Sequence, residues 1–117
     1  MHRIFKNMKR TTAARQARAA YESKAIAAGH GSELESHMWR FRRLVRDEMY
    51  ALASTYPSLT WKELPTKQIH TIKERVNAQL REEGIPEVGE DLMFYQMEIS
   101  LMAYKIRTNR EEKEEAE

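Results

Sequence analysis

From Ser32 onward, large apolar residues recur at Leu34, Met38, Phe41, Val45, Met49, Leu52 and Tyr56, in steps of three and four. That spacing holds them on one face of an α-helix. Ser32 and Glu35 stand in the S-x-x-E arrangement of a capping box, which predicts where the helix starts. Pro57 predicts its end, because the residue before a proline is pushed out of helical geometry. A narrower stripe, Ile69, Ile72, Val76 and Leu80, predicts a polar surface helix from about Thr66 to Glu83. Gly84 suits its C-terminal cap, with Pro86 just beyond. Between the two, Thr60 and Glu63 repeat the capping-box spacing and predict one short helical turn. Pro65 either interrupts that turn or opens the next helix as its first residue. A last helix follows Glu90 and Asp91, whose charges suit the positive end of a helix dipole. It carries two apolar stripes, Leu92-Tyr95-Ile99-Met102-Ile106 and Phe94-Met97-Leu101-Tyr104. A helix apolar over so much of its circumference is the central member of a bundle or is partly covered by another molecule.

The two ends of the chain lack such patterns. Residues 1–31 are rich in Ala and Arg, which favours helix, but large apolar residues are few: Ile4, Phe5, Met8, Tyr21 and Ile26. With little to bury, this segment is expected to be a loosely held helix or an arm that orders against a partner. Gly29-His30-Gly31 separates it from the helical domain, residues 32–110. The run from Glu111 to Glu117 has nothing to bury and is expected to fray as an acidic tail. The predicted fold class is all-α, a small bundle of three to four helices with a basic N-terminal arm and a charged C-terminal tail. Only 4 glycines and 3 prolines in 117 residues agree with long helices rather than a fold of many turns.

Charge changes this picture more than composition does. The net charge of +2 conceals a basic arm, a neutral body and an acidic tail. Residues 1–31 hold seven Lys or Arg against the single acid Glu22, and residues 111–117 hold five Glu against one Lys. The chain has no cysteine, so disulfides, thiolate zinc sites and thiol catalysis are excluded. No uncharged stretch reaches the length of a membrane-spanning helix. The expected setting is intracellular, with the nucleus favoured. A basic, acid-poor N-terminus is also that of a mitochondrial transit peptide.

The candidate chemistry is that of binding. No two of His2, His30, His37 and His70 are three or four residues apart, so no metal site is expected from spacing, although His30 and His37 flank the start of the first predicted helix. There is no glycine-rich phosphate loop and no nucleophile motif, and adjacent acids such as Asp47 and Glu48 point apart on a helix. Neither catalysis nor a cofactor is expected. Arg40, Arg42, Arg43 and Arg46 are expected to form one basic face beside the apolar stripe, with Trp39 next to them. Arg10, Arg15 and Arg18 in the arm, and Lys67 and Lys73 in the polar helix, extend the basic set. The polar helix also holds Gln68, His70, Thr71, Arg75, Asn77 and Gln79, residue types that reach phosphates and base edges. After a turn and a preceding helix, it is compatible with a helix-turn-helix reader.

Two functions fit. The first is a non-catalytic nucleic-acid or chromatin module that contacts phosphates with the arm and the arginine face. The second is a protein–protein module, a small subunit or adaptor that binds an acidic partner surface or a second copy. In that case Trp61, Phe94, Met97, Leu101 and Tyr104 are the expected packing residues. For Trp61 and the methionines the plainer expectation is core packing. A weaker third reading sets the arm on an anionic membrane through Ile4, Phe5 and Met8.

Overall fold

The computed structural model describes residues 2–116, with side chains described for residues 12–111. It contains α1 (His2–Ala27), α2 (Leu34–Thr55), α3 (Thr66–Glu82) and α4 (Glu90–Ala116). Single 3₁₀ turns precede α2, at Gly31–Glu33, and α3, at Trp61–Glu63. There is no strand among the described residues, so the protein is the small all-α bundle that its periodicity predicts. Arg10, expected as a binding residue, and the tail beyond Glu111 lie outside the residues whose side chains are described.

α4 is the centre of the bundle. It packs most extensively on α2 and also receives α1 and α3. Phe41, Val45 and Met49 of α2 share one buried cluster with Met93, Met97 and Leu101 of α4. Ile72, Val76 and Leu80 close it from α3, and Ile85 and Val88 from the segment before α4. Each such side chain removed from water contributes about 1.5–3 kcal/mol. Met97 and Leu101, expected to pack on a partner, are therefore corrected to core residues: Met97 is 0% exposed and Leu101 hardly more. The reason is geometric, since the stripe they share with Phe94 and Tyr104 is the one turned towards the rest of the bundle.

α1 is tied to the body more firmly than a sparse apolar pattern suggests. Tyr21 and Ala25 are buried, and the Tyr21 hydroxyl donates to the Pro86 carbonyl at 3.1 Å. Burial raises the Tyr21 pKa above its ordinary value, because the phenolate would lose its hydration.

Helices α1 and α3 end in the same way. The His30 N–H donates to the Ala25 carbonyl at 2.8 Å and the Gly29 N–H to Ile26 at 3.0 Å. Likewise the Ile85 N–H donates to Leu80 at 2.8 Å and the Gly84 N–H to Arg81 at 3.1 Å. These are Schellman closures, which require a left-handed residue. Glycine supplies it in both, with φ of +88° at Gly29 and +75° at Gly84.

The helix starts differ from expectation. Neither Ser32 nor Thr60 makes a side-chain capping bond. The 3₁₀ turn at Gly31–Glu33 places Ser32 inside a helical turn, so Glu33 holds the cap position of α2. Pro65 is likewise the cap of α3 rather than its first residue. Its carbonyl accepts from Gln68 and Ile69 at 3.0 and 3.1 Å, so it starts the helix with no N–H of its own to satisfy.

Candidate binding surface

The arginines of α2 do not form one face. A step of three residues falls about 60° short of a full turn, so the series Arg40, Arg43, Arg46 drifts around the helix instead of lining up. Arg40 faces α3, where its Nε donates to both Glu83 carboxylate oxygens at 2.8 and 3.1 Å. Arg42, Arg43 and Arg46 turn the other way, with Trp39 and Tyr50, and line a groove of about 290 Å³ against α4. The α4 wall is Gln96, Ile99, Ser100 and Ala103.

This groove joins two kinds of surface. Trp39 is 60% exposed, and farther along α4 Met102 and Ile106 are each 55% exposed. The Arg43 guanidinium lies over the Trp39 ring at 5.3 Å and that of Arg46 over Tyr50 at 6.0 Å. Stacking uses the flat face of the guanidinium and leaves its N–H edges for a carboxylate or phosphate. Arg42 and Arg43 make no ion pair with an acid among the described residues, and Arg46 reaches Asp47 only at 3.8 Å. A second depression shares Arg42 and Gln96 with the groove and brings in Arg15 and Arg18 of α1. Arg18 pairs with Glu22 at 2.9 Å. The bundle thus assembles Arg15, Arg18, Arg42, Arg43 and Arg46 on one side, across two helices.

α3 presents a different balance. Lys73 pairs with Glu90 at 3.2 Å and Arg75 with Glu48 at 2.7 Å. Gln79 donates to Glu83 at 3.0 Å. Asn77 is buried, and its amide is committed to the backbone of Val88. His70 meets the Phe94 ring edge-on at 5.9 Å. Of the proposed reading residues, Lys67 is exposed and makes no ion pair among the described residues. The larger depression between α2 and α3, about 730 Å³, includes Arg40, Arg75, Glu48 and Glu82, so both signs of charge line it.

The Arg40 contact sets a pH dependence. Its hydrogen bond, followed by that from Gln79, holds the Glu83 carboxyl below the usual carboxylate range. A lowered carboxyl pKa stabilises the fold above its unfolded value, and that contribution is lost as pH falls through the folded value. Between those two values the Arg40→Gln variant is expected to lose less stability on acidification than the parent chain. Thermal melts across the acid range check this. Parallel pH profiles would show that the pair contributes nothing.

Trp61 is no free anchor. It lies 6.4 Å from the Phe94 ring and packs on the core beside buried Leu64, closing the junction between α2 and α3. Tyr104 meets Tyr50 edge-on at 5.2 Å, which sets it at one end of the groove wall rather than on an isolated patch. The residues that the sequence argument left out of the surface are Ile99, Met102 and Ile106. Their signal was present as the second stripe of α4, but periodicity alone does not say which of two stripes faces inward. Trp39 carried a clearer signal, because it sits off the apolar stripe of its own helix.

No helix among the described residues is long and apolar enough to cross a membrane. No protein-family model, curated protein or solved structure matches the chain.

Proposed function

We propose that this chain is a non-catalytic protein-binding module that receives an acidic amphipathic helix along the α2–α4 groove. The observation that carries the reading is the joining of exposed apolar side chains to arginines without strong acidic partners. Trp39 and Ile99 would receive the partner's apolar stripe, with Met102 and Ile106 extending the contact. Arg42, Arg43 and Arg46 would meet its flanking carboxylates. Contact with duplex phosphates makes no use of the exposed Ile99, Met102 and Ile106 side chains, and most of the polar side chains of α3 that a groove reader would need are engaged within the fold.

The nucleic-acid reading keeps one supporting observation. Arg15 and Arg18 of α1 lie on the same side of the bundle as Arg42, Arg43 and Arg46.

A single experiment separates the two. A labelled helical peptide of about 20 residues, with leucines at i, i+3, i+4 and i+7 and glutamates beside them, is titrated with the chain, next to mixed-sequence duplex DNA. The peptide is expected to bind with a shallower salt dependence than duplex DNA would show. Trp39→Ala is expected to weaken it about thirtyfold, the scale of a buried aromatic anchor. Binding of DNA alone, falling steeply with salt and indifferent to Trp39→Ala, would replace this reading with the nucleic-acid one.

A further inference from the structure

Where α1 turns into α2, the fold assembles a group that the spacing of histidines does not reveal. His30 completes the Schellman closure of α1, Glu33 ends the next 3₁₀ turn, and His37 lies in the first turn of α2. One potential ligand atom from each lies within 4.8 Å of the other two. The His37 Nε2 is 3.2 Å from a Glu33 carboxylate oxygen. Two ligand atoms on a tetrahedral zinc, with bonds of about 2.0–2.1 Å, are separated by about 3.3 Å, so this pair already has the spacing of one edge of such a site. His30 lies between Gly29 and Gly31 and is only half-buried, which leaves its ring room to close the remaining distance.

The second observation concerns His37 itself. Its residue is 7% exposed, and its Nδ1 is buried without any hydrogen-bond partner. An ordinary helical His–Glu pair explains the contact of Nε2 but leaves the rest of the ring unserved in either tautomer. A buried nitrogen without a partner is costly. The nitrogen that faces Glu33 is Nε2, so an ion shared with that carboxylate binds His37 through Nε2 and leaves the ring proton on Nδ1.

We propose that His30, Glu33 and His37 bind a divalent transition-metal ion of the zinc class, with two imidazoles and one carboxylate as ligands and the remaining position open to solvent. Imidazole donors favour zinc, nickel or copper over magnesium or calcium. The ion would link the residue just beyond α1 to the first turn of α2. It would thereby brace the basic helix against the body, independently of whatever the α2–α4 groove binds.

The test uses the full, tag-free chain and cobalt(II) as a visible probe, displaced by zinc. One cobalt per chain is expected, with the intense visible bands of a four-coordinate ion, and zinc is expected to raise the melting temperature. His30→Ala and Glu33→Gln alter side chains that are not core residues. Each is expected to weaken binding by about tenfold or more, since loss of even an outer-shell partner costs that much, while the helical circular dichroism is kept. His70→Ala is expected to bind as the parent does. Three results would each overturn the proposal: no saturable binding in excess metal, unchanged affinity in both site variants, or loss of binding in His2→Ala or His70→Ala instead.

Discussion

Replacing Met97 by alanine is expected to destabilise the isolated chain by about 2–5 kcal/mol, with no partner present. The side chain is fully buried and belongs to the cluster in which α4 meets α2 and α3. Its removal loses the transfer energy of the thioether and leaves a cavity that a close-packed interior fills only in part. Against a total stability of about 5–15 kcal/mol for a native domain, the loss is visible as a lower urea midpoint at unchanged slope. Met102→Ala, five residues along the same helix, is expected to stay within about 0.5 kcal/mol in that measurement, as surface substitutions do. The same Met102 variant is expected to weaken capture of the acidic helical peptide. A neutral Met97→Ala would mean that this stripe of α4 does not face the core and that the orientation of the helix is wrong.

That contrast shows where the sequence was legible. The stripe from Leu34 to Tyr56 identifies α2 by itself, because every third or fourth position is apolar and the opposite face is charged. Gly84 marks the end of α3, because the left-handed closure there strains any residue with a Cβ. α4 was legible as a helix but not in its rotation. Both of its stripes are apolar, and the docking of α2, with α1 and α3, decides that Met97 goes inward and Met102 outward. The arginines failed for a related reason. Arg42 stands two residues and about 200° on from Arg40, and Arg43 and Arg46 drift towards it, so Arg40 ends on the α3 side and Arg42 on the α4 side. Partners distant in sequence then complete the separation, since Glu83 engages Arg40 while no described acid pairs with Arg42. The His30–Glu33–His37 group was invisible to the usual ligand spacings, because a 3₁₀ turn, not a regular helix, brings His30 towards His37.

Asn77 gives the second large effect, and it reverses a role that its residue type suggested. An asparagine on a polar helix fits contact with a base edge. Here its amide nitrogen donates to the Val88 carbonyl at 3.0 Å, and its amide oxygen accepts from the Val88 N–H at 2.8 Å. The side chain thus stands in for a strand neighbour to a buried residue in the irregular segment between α3 and α4. Asn77→Ala leaves both Val88 groups buried and unpaired, at about 1–3 kcal/mol each. The expected fall in melting temperature is about 10 °C, given several degrees per kcal/mol in a domain of this size. Asn77→Asp is expected to be comparably harmful at neutral pH, since it keeps the acceptor but sets a carboxylate against the Val88 carbonyl. Burial and that oxygen would raise the introduced carboxyl above its ordinary pKa of about 3.9. The stability that the protonated acid supplies is then present below that value and lost as pH rises through the raised one. The gap between Asn77→Asp and the parent chain is therefore expected to narrow on acidification, while that of Asn77→Ala does not. Thermal melts at neutral and acidic pH measure both. An Asn77→Ala variant within about 0.5 kcal/mol of the parent, the range of an ordinary surface change, would show that this segment is held by Ile85 and Val88 packing alone.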